Sequence, residues 1–213
     1  MSKLAIFDLD GTLINSIQDI ANAVNYGLKK LNLPTHNTKS YYDFVGDGAD
    51  TLCERALPEN QLEKKDELYK IFAEYYTAHY LDETVVYKQI YEVLDALSIN
   101  NVKLAVASNK PHNFTVKITK HFFKDIFSEI VGHSDIINPK PDPQIINTII
   151  ENFNQDFSSV FMIGDSNIDI NTAQNANINS IACTWGFQSL ELLEKENPNY
   201  IINNPVEILD III

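Results

Sequence analysis

The chain predicts an α/β protein, a doubly wound parallel sheet with a helical block inserted directly after the first strand. Three observations carry that prediction. Short apolar runs at 3–7, 102–107, 160–163 and 180–183 have the length and flanks of buried strands. Amphipathic helical segments separate the later runs, and strands alternating with helices indicate parallel pairing through right-handed crossovers. Between 15 and about 82 only helical patterns occur. The expected organisation is therefore a core of residues 1–14 and 83–213, interrupted by a helical block over 15–82.

Taken in order, the run ending at Phe7 stops in Asp8-Leu9-Asp10-Gly11-Thr12-Leu13. Two carboxylates thus sit just past a strand's end, where open α/β sheets place their ligands. Alternation points Asp8 and Asp10 the same way, and Gly11 lets the backbone turn and approach a ligand closely. Paired acids of this kind suit a hard cation, a nucleophile with an acid/base partner, or both. Ser16 and Asp19 have capping-box spacing ahead of a helix whose apolar face is Ile17, Ile20, Ala21, Val24, Leu28 and Leu31. Residues 35–48 read as a polar, turn-rich stretch closing on Val45-Gly46-Asp47-Gly48. A short helix over 49–57 follows, then a longer one over 61–80 with Leu62, Leu68, Ile71, Phe72, Tyr75 and Tyr76 as its buried stripe.

Beyond the block, a helix carrying Ile90, Val93, Leu94 and Leu97 leads into the strand ending at Ser108-Asn109-Lys110. A helix over 112–124, a short strand near 129–131 and a helix over 143–153 come next, with Asp142 as N-cap and Pro143 at the first helical position. The strand at 160–163 delivers Gly164-Asp165, and Asp169 lies one helical turn on. A helix near 167–176, the strand at 180–183 and an edge strand at 200–202 complete the core.

Composition narrows the function classes. The 213-residue chain carries a formal charge of −13, which opposes a nucleic-acid partner. It has no apolar stretch long enough to span a membrane and no signal-peptide pattern at its start. Cys53 and Cys183 lack metal-site or redox spacing and read as buried thiols in a reducing compartment. The expectation is a cytoplasmic protein, monomer or homodimer. An anionic ligand would have to be met by local positive charge. None of the five histidines has metal-ligand spacing.

Four strings together resemble a known family. Asp8-Leu9-Asp10-Gly11-Thr12-Leu13, Ser108, Lys140 within Pro139-Lys140-Pro141-Asp142-Pro143, and Gly164-Asp165 with Asp169 are similar to the four motifs of the haloacid-dehalogenase-like hydrolase superfamily. The resemblance implies a Mg²⁺-dependent phosphatase working through an aspartyl-phosphate. It makes Asp8 the nucleophile, Asp10 the acid/base, and Ser108 and Lys140 the groups that hold the phosphoryl. Gly11 and Asn109 would assist in substrate binding. Mg²⁺ would be held by the Asp8 carboxylate, the Asp10 backbone carbonyl and the Asp165 carboxylate, with Asp169 orienting the groups around them. The helical block becomes a cap domain.

Within that superfamily, Phe44–Asp50 with Glu54-Arg55-Ala56-Leu57, Asn15-Ser16 with Asp19-Ile20, and Thr184-Trp185-Gly186-Phe187 resemble phosphoglycolate phosphatases. Gly46 and Gly48 would then offer backbone N–H groups to a substrate carboxylate. The expected substrate is 2-phosphoglycolate. Alternatives are pyrophosphate, nucleotides or sugar phosphates, a phosphohexose mutase, or a non-catalytic phosphate-binding member. Two departures stand out: Lys88-Gln89 where the family often has Pro-Gly, and Asn177 where it has glycine.

Overall fold

The computed structural model describes residues 3–213. Leu4–Phe7 (β1) is wholly buried, as an uninterrupted apolar run requires. After the acidic turn, Ile14–Asn15 (β2) leads into Ile17–Lys30 (α1). A 3-10 turn at Thr38–Ser40 precedes Tyr41–Phe44 (α2); Ala49–Ala56 (α3), a second 3-10 segment at Glu59–Lys64 and Lys65–His79 (α4) follow. Val85–Val86 (β3) pairs with β2 as a two-stranded ribbon. Then come Ile90–Ile99 (α5), Lys103–Pro111 (β4), His112–Phe123 (α6), Glu129–His133 (β5) and Gln144–Phe153 (α7). Val160–Gly164 (β6), Asn167–Asn175 (α8), Asn179–Cys183 (β7), Leu190–Lys195 (α9), Tyr200–Ile202 (β8) and Glu207–Ile212 (α10) close the chain.

The backbone divides into two compact units. The α/β unit runs to Ile14 and resumes at Val86; its six-stranded sheet has the order β5-β4-β1-β6-β7-β8, every pair parallel. One sheet face, through Leu4, Ile6, Ala105, Ala107, Val160 and Met162, packs on Ile145, Ile146, Ile149 and Ile150 of α7 and Ala173 of α8. The other face presents Phe7, met edge-on by Phe127, which in turn meets Phe123 of α6. Registry sets the functional edge: Phe7 pairs with Val106 on one side and Ile163 on the other, so Asp8 emerges level with Ala107 and Gly164.

The helical unit spans Asn15–Val85. Gly27 on α1 lets α4 approach, because a Cβ there would run into Leu68. Residues 35–48 are not simply a loop. Tyr41 is fully buried, donating its hydroxyl to Asn25 Oδ1 at 2.8 Å, and this anchors α2. Leu62 is exposed, because Gln61 is non-helical (φ −136°) and breaks the period before α4 begins. Ile71 and Tyr75 are half-buried, so the stripe reduces to Leu68, Phe72 and Tyr76.

The expected capping box at Ser16 and Asp19 does not form. Asp19 is buried and its carboxylate instead accepts the Glu83 N–H, the Thr84 N–H and the Thr84 hydroxyl at 2.6–3.1 Å. These bonds tie residues 83–84 to α1 within the helical unit. At α7, Asp142 Oδ1 accepts the Gln144 N–H at 2.9 Å with Pro143 already helical, so Asp142 does cap that helix.

Candidate active site

The C-terminal edge of the sheet gathers the acids. Oxygens of Asp8, Asp165 and Asp169 lie within 4.8 Å of one another. Lys140 reaches them from the proline-flanked loop before α7. Its ammonium group lies 2.6 Å from Asp169 Oδ1 and 3.1 Å from Asp8 Oδ1, and donates to the Ala107 carbonyl at 2.9 Å. Burial alone would make that ammonium easier to deprotonate, but Asp169 and Asp8 outweigh it and raise its pKa. Lys140 is a fixed positive charge.

Each acid has its own support. Asp8 follows a strand locked on both sides, and its N–H donates to Ile163 O at 2.9 Å. Asp165 Oδ1 accepts the Thr12 hydroxyl at 3.0 Å and Oδ2 the Phe187 N–H at 2.7 Å. Asp169 closes a capping box with Ser166 at the start of α8 while holding Lys140 with its other oxygen. Glycines make this density possible. A Cβ on Gly11 or Gly186 would overlap the Asp165 side chain, and one on Gly164 would overlap Asp169.

Electrostatically the cluster is strained. Burial, Asp169 and Asp10 push Asp8 up to about 7, against the pull of Lys140. Asp165 is raised well above the usual carboxylate range by burial and by Asp169 and Asp8. Asp8 Oδ1 is buried with no aligned hydrogen bond. Three carboxylates so placed, with only the Lys140 ammonium ion among them, fit a hard divalent cation that takes oxygen ligands. The residues present can hold a metal ion.

The remaining expected site residues divide. Asp10 carries its carboxylate to Lys110, whose ammonium lies 2.9 and 3.2 Å from the two oxygens. Ser108 is buried at the same edge and accepts the Lys110 N–H at 3.3 Å. Asn109 holds the lysine loop: its carboxamide accepts the Lys140 N–H at 2.7 Å and donates to the Lys140 carbonyl at 3.0 Å. Gly11 donates its N–H to Ile14 O at 2.8 Å and, at a positive φ of 88°, leaves room for Asp165. Gly46 and Gly48 belong to the helical unit, at φ 116° and 89°. There Arg55 pairs with Asp47 at 2.6 Å and donates to Phe44 O at 3.2 Å, which braces the loop carrying both glycines.

Sequence reasoning missed Lys110, Thr12 and the role of 184–187. In that last segment Trp185 donates its indole N–H to Thr12 O at 3.1 Å, beside the Phe187 bond to Asp165. No local signal marks these residues, since their partners lie on distant strands.

A parallel α/β sheet with acids and a lysine converging at its carboxyl edge defines a hydrolase-type site. The haloacid dehalogenase-like hydrolase family model matches residues 5–183, and the chain belongs to that family. It is 35% identical over 205 residues to a phosphoglycolate phosphatase of Psychrobacter arcticus, covering 92% of this chain and 89% of that protein. Among solved structures it resembles a haloacid dehalogenase-like family hydrolase of Streptococcus pneumoniae, with TM-score 0.88, 27% identity and coverage of 99% and 98%. A predicted phosphoglycolate phosphatase of Haemophilus somnus superposes with TM-score 0.89 at 30% identity, over 99% and 97% of the two chains. The enzyme class is that of a phosphatase-like hydrolase. Among the described residues no helix is long and apolar enough to cross a membrane.

Proposed function

We propose that the chain is a Mg²⁺-dependent phosphatase that transfers the phosphoryl group of 2-phosphoglycolate to Asp8 and then to water. The observation that carries this reading is the clustering of Asp8 with Asp165, Asp169 and Lys140. A binding module needs no carboxylate held against a buried ammonium ion at a crowded acidic edge; a nucleophile that must meet an anion does.

In this reading Asp8 attacks the phosphorus in line, while Lys140 offsets the charge of nucleophile and phosphoryl together. Ser108 hydrogen-bonds a phosphoryl oxygen. Asp10 protonates the departing alkoxide and then takes a proton from the water that cleaves the acyl-phosphate. Asp169 and Asn109 keep Lys140 in place. The Asp8 and Asp165 carboxylates and the Asp10 carbonyl would hold Mg²⁺, which supplies charge neutralisation and orients the phosphate. The 2-phosphoglycolate assignment draws on the named relatives and on the loop around Gly46 and Gly48. The helical unit is proposed as the cap that selects among phosphate esters. A cytoplasmic location belongs to the same proposal and agrees with two buried free thiols.

The test is phosphate release from 2-phosphoglycolate, pyrophosphate, sugar phosphates and nucleotides, with Mg²⁺ and with chelator, for the wild type and Asp8→Asn. Mg²⁺-dependent release, lost in Asp8→Asn and fastest on 2-phosphoglycolate, is the expected result. A flat profile removes the substrate assignment. Release that survives in Asp8→Asn removes the mechanism.

A further inference from the structure

The site contains two lysines, and the proposed chemistry uses one. Lys140 stands on the nucleophile. Lys110 stands on Asp10, the proposed acid/base, with its side chain only 6% exposed. A buried ammonium ion in a chain of charge −13 is a built feature, and its surroundings show how it is built. β4 runs on past Ser108 to Pro111 with a register shift against β5 between those two residues. The Thr115 hydroxyl donates to the Lys110 carbonyl at 3.0 Å, and the Lys110 N–H donates to Ser108 Oγ at 3.3 Å. Gly132 of β5 lets this corner pack, since a Cβ there would meet Thr115, His112 and the Lys110 carbonyl.

Position gives the lysine its meaning. An acid that protonates the leaving oxygen lies on the leaving-group side of the phosphorus, opposite the nucleophile. Lys110 is within 2.9 Å of that acid, so its charge belongs to the leaving-group side. A simple alcohol has no use for a cation there. In 2-phosphoglycolate the carboxyl carbon is separated from the ester oxygen by a single methylene, which brings the carboxylate beside whatever group protonates that oxygen. The ammonium ion beside Asp10 places positive charge where a substrate carboxylate next to Asp10 would arrive.

We propose that Lys110 binds the leaving-group carboxylate of the substrate and so sets the enzyme's preference for acid-bearing phosphate esters. This rests on the phosphatase reading above and deepens it. A lysine that only held Asp10 in place would affect all esters alike, which is the competing outcome.

The experiment compares kcat/KM on two esters, 2-phosphoglycolate and ethyl phosphate, its analogue without the carboxylate. It is run in the Mg²⁺-loaded wild type, Lys110→Met and Lys110→Gln. The glutamine variant keeps a hydrogen-bond donor near Asp10 while removing the charge, and it carries the test if the methionine variant fails to fold. One charge-assisted hydrogen bond sets the scale, so the ratio of the two constants should fall about 10- to 100-fold in both variants. The fall should come chiefly from a weaker hold on the acid-bearing ester, seen as a raised KM with kcat changed less. Equal losses on both esters, with the ratio intact, overturn the proposal and leave the substrate assignment standing. A wild type with no preference for 2-phosphoglycolate overturns the substrate assignment, and the Lys110 proposal with it. Since that second failure shows in the wild type alone, the two are distinguishable.

Discussion

Replacing Lys140 by methionine tests the electrostatics of the cluster without reference to any substrate. The ammonium ion is buried between Asp169 and Asp8, and methionine keeps the length while removing the charge. Breaking a buried ion pair on one side leaves uncompensated charge, a loss of about 3–5 kcal/mol. The cost must depend on pH. Asp8 titrates near 7 in the folded protein and at 3.8 when unperturbed, so its burial costs nothing below about 3.8 and is fully unfavourable above about 7. At pH 5.5 Asp8 is largely protonated in both proteins, and the variant loses mainly the Asp169 pair. At pH 8.5 the wild type holds an ionised Asp8 against Lys140, and the variant must either bury it unpaired or keep it protonated. The destabilisation should therefore be larger at pH 8.5, by about 1–2 kcal/mol on the scale of 1.4 kcal/mol per pKa unit. Urea unfolding in chelator would be followed by fluorescence of Trp185, the single tryptophan, which lies in the α/β unit beside this cluster. An equal cost at both pH values, or one below about 1 kcal/mol at pH 8.5, would refute the reasoning.

Two further substitutions probe the scaffold. Asp19→Ala removes the acceptor for two N–H groups and the Thr84 hydroxyl, and it should destabilise the helical unit by about 3 kcal/mol; hydrogen exchange at residues 83–84 as slow as in the wild type would count against it. Gln89 opens α5 in the left-handed region at φ 66°, where a side chain costs about 1–2 kcal/mol and glycine does not. Gln89→Gly should therefore raise the urea midpoint modestly, a net gain of about 0.5 kcal/mol after the added freedom of the unfolded chain; a lower midpoint would show that the residue is not strained there.

How much of this was legible follows from the range of each interaction. Strands β1 and β6 announce themselves because burial on both faces makes them continuous apolar runs, and the acids at their ends follow by adjacency. Asn177 stands where the resemblance expected glycine and does occupy left-handed backbone, which Asn tolerates; Gln89 occupies it too, with no signal of its own in the residue type. The Lys110–Asp10 pair was not legible, because its partners are 100 residues apart and meet only through the pairing of β1 with β4. Nor was the bond from Phe187 to Asp165, made by a segment beyond β7.

The sharpest contrast is between two copies of one local pattern. Ser16-x-x-Asp19 and Ser166-x-x-Asp169 have the same spacing ahead of a helix, yet only the second closes a capping box. Asp19 faces donors from residues 83 and 84 at 2.6–3.1 Å, and these buried bonds to a carboxylate outweigh a cap at the helix start. Asp169 has one oxygen for Ser166 and the other for Lys140, so the local and the distant bonds do not compete. A carboxylate's two oxygens can serve one partner or two, and which occurs depends on groups that arrive only with the tertiary fold. Sequence spacing identifies such an acid as available; it does not say to whom.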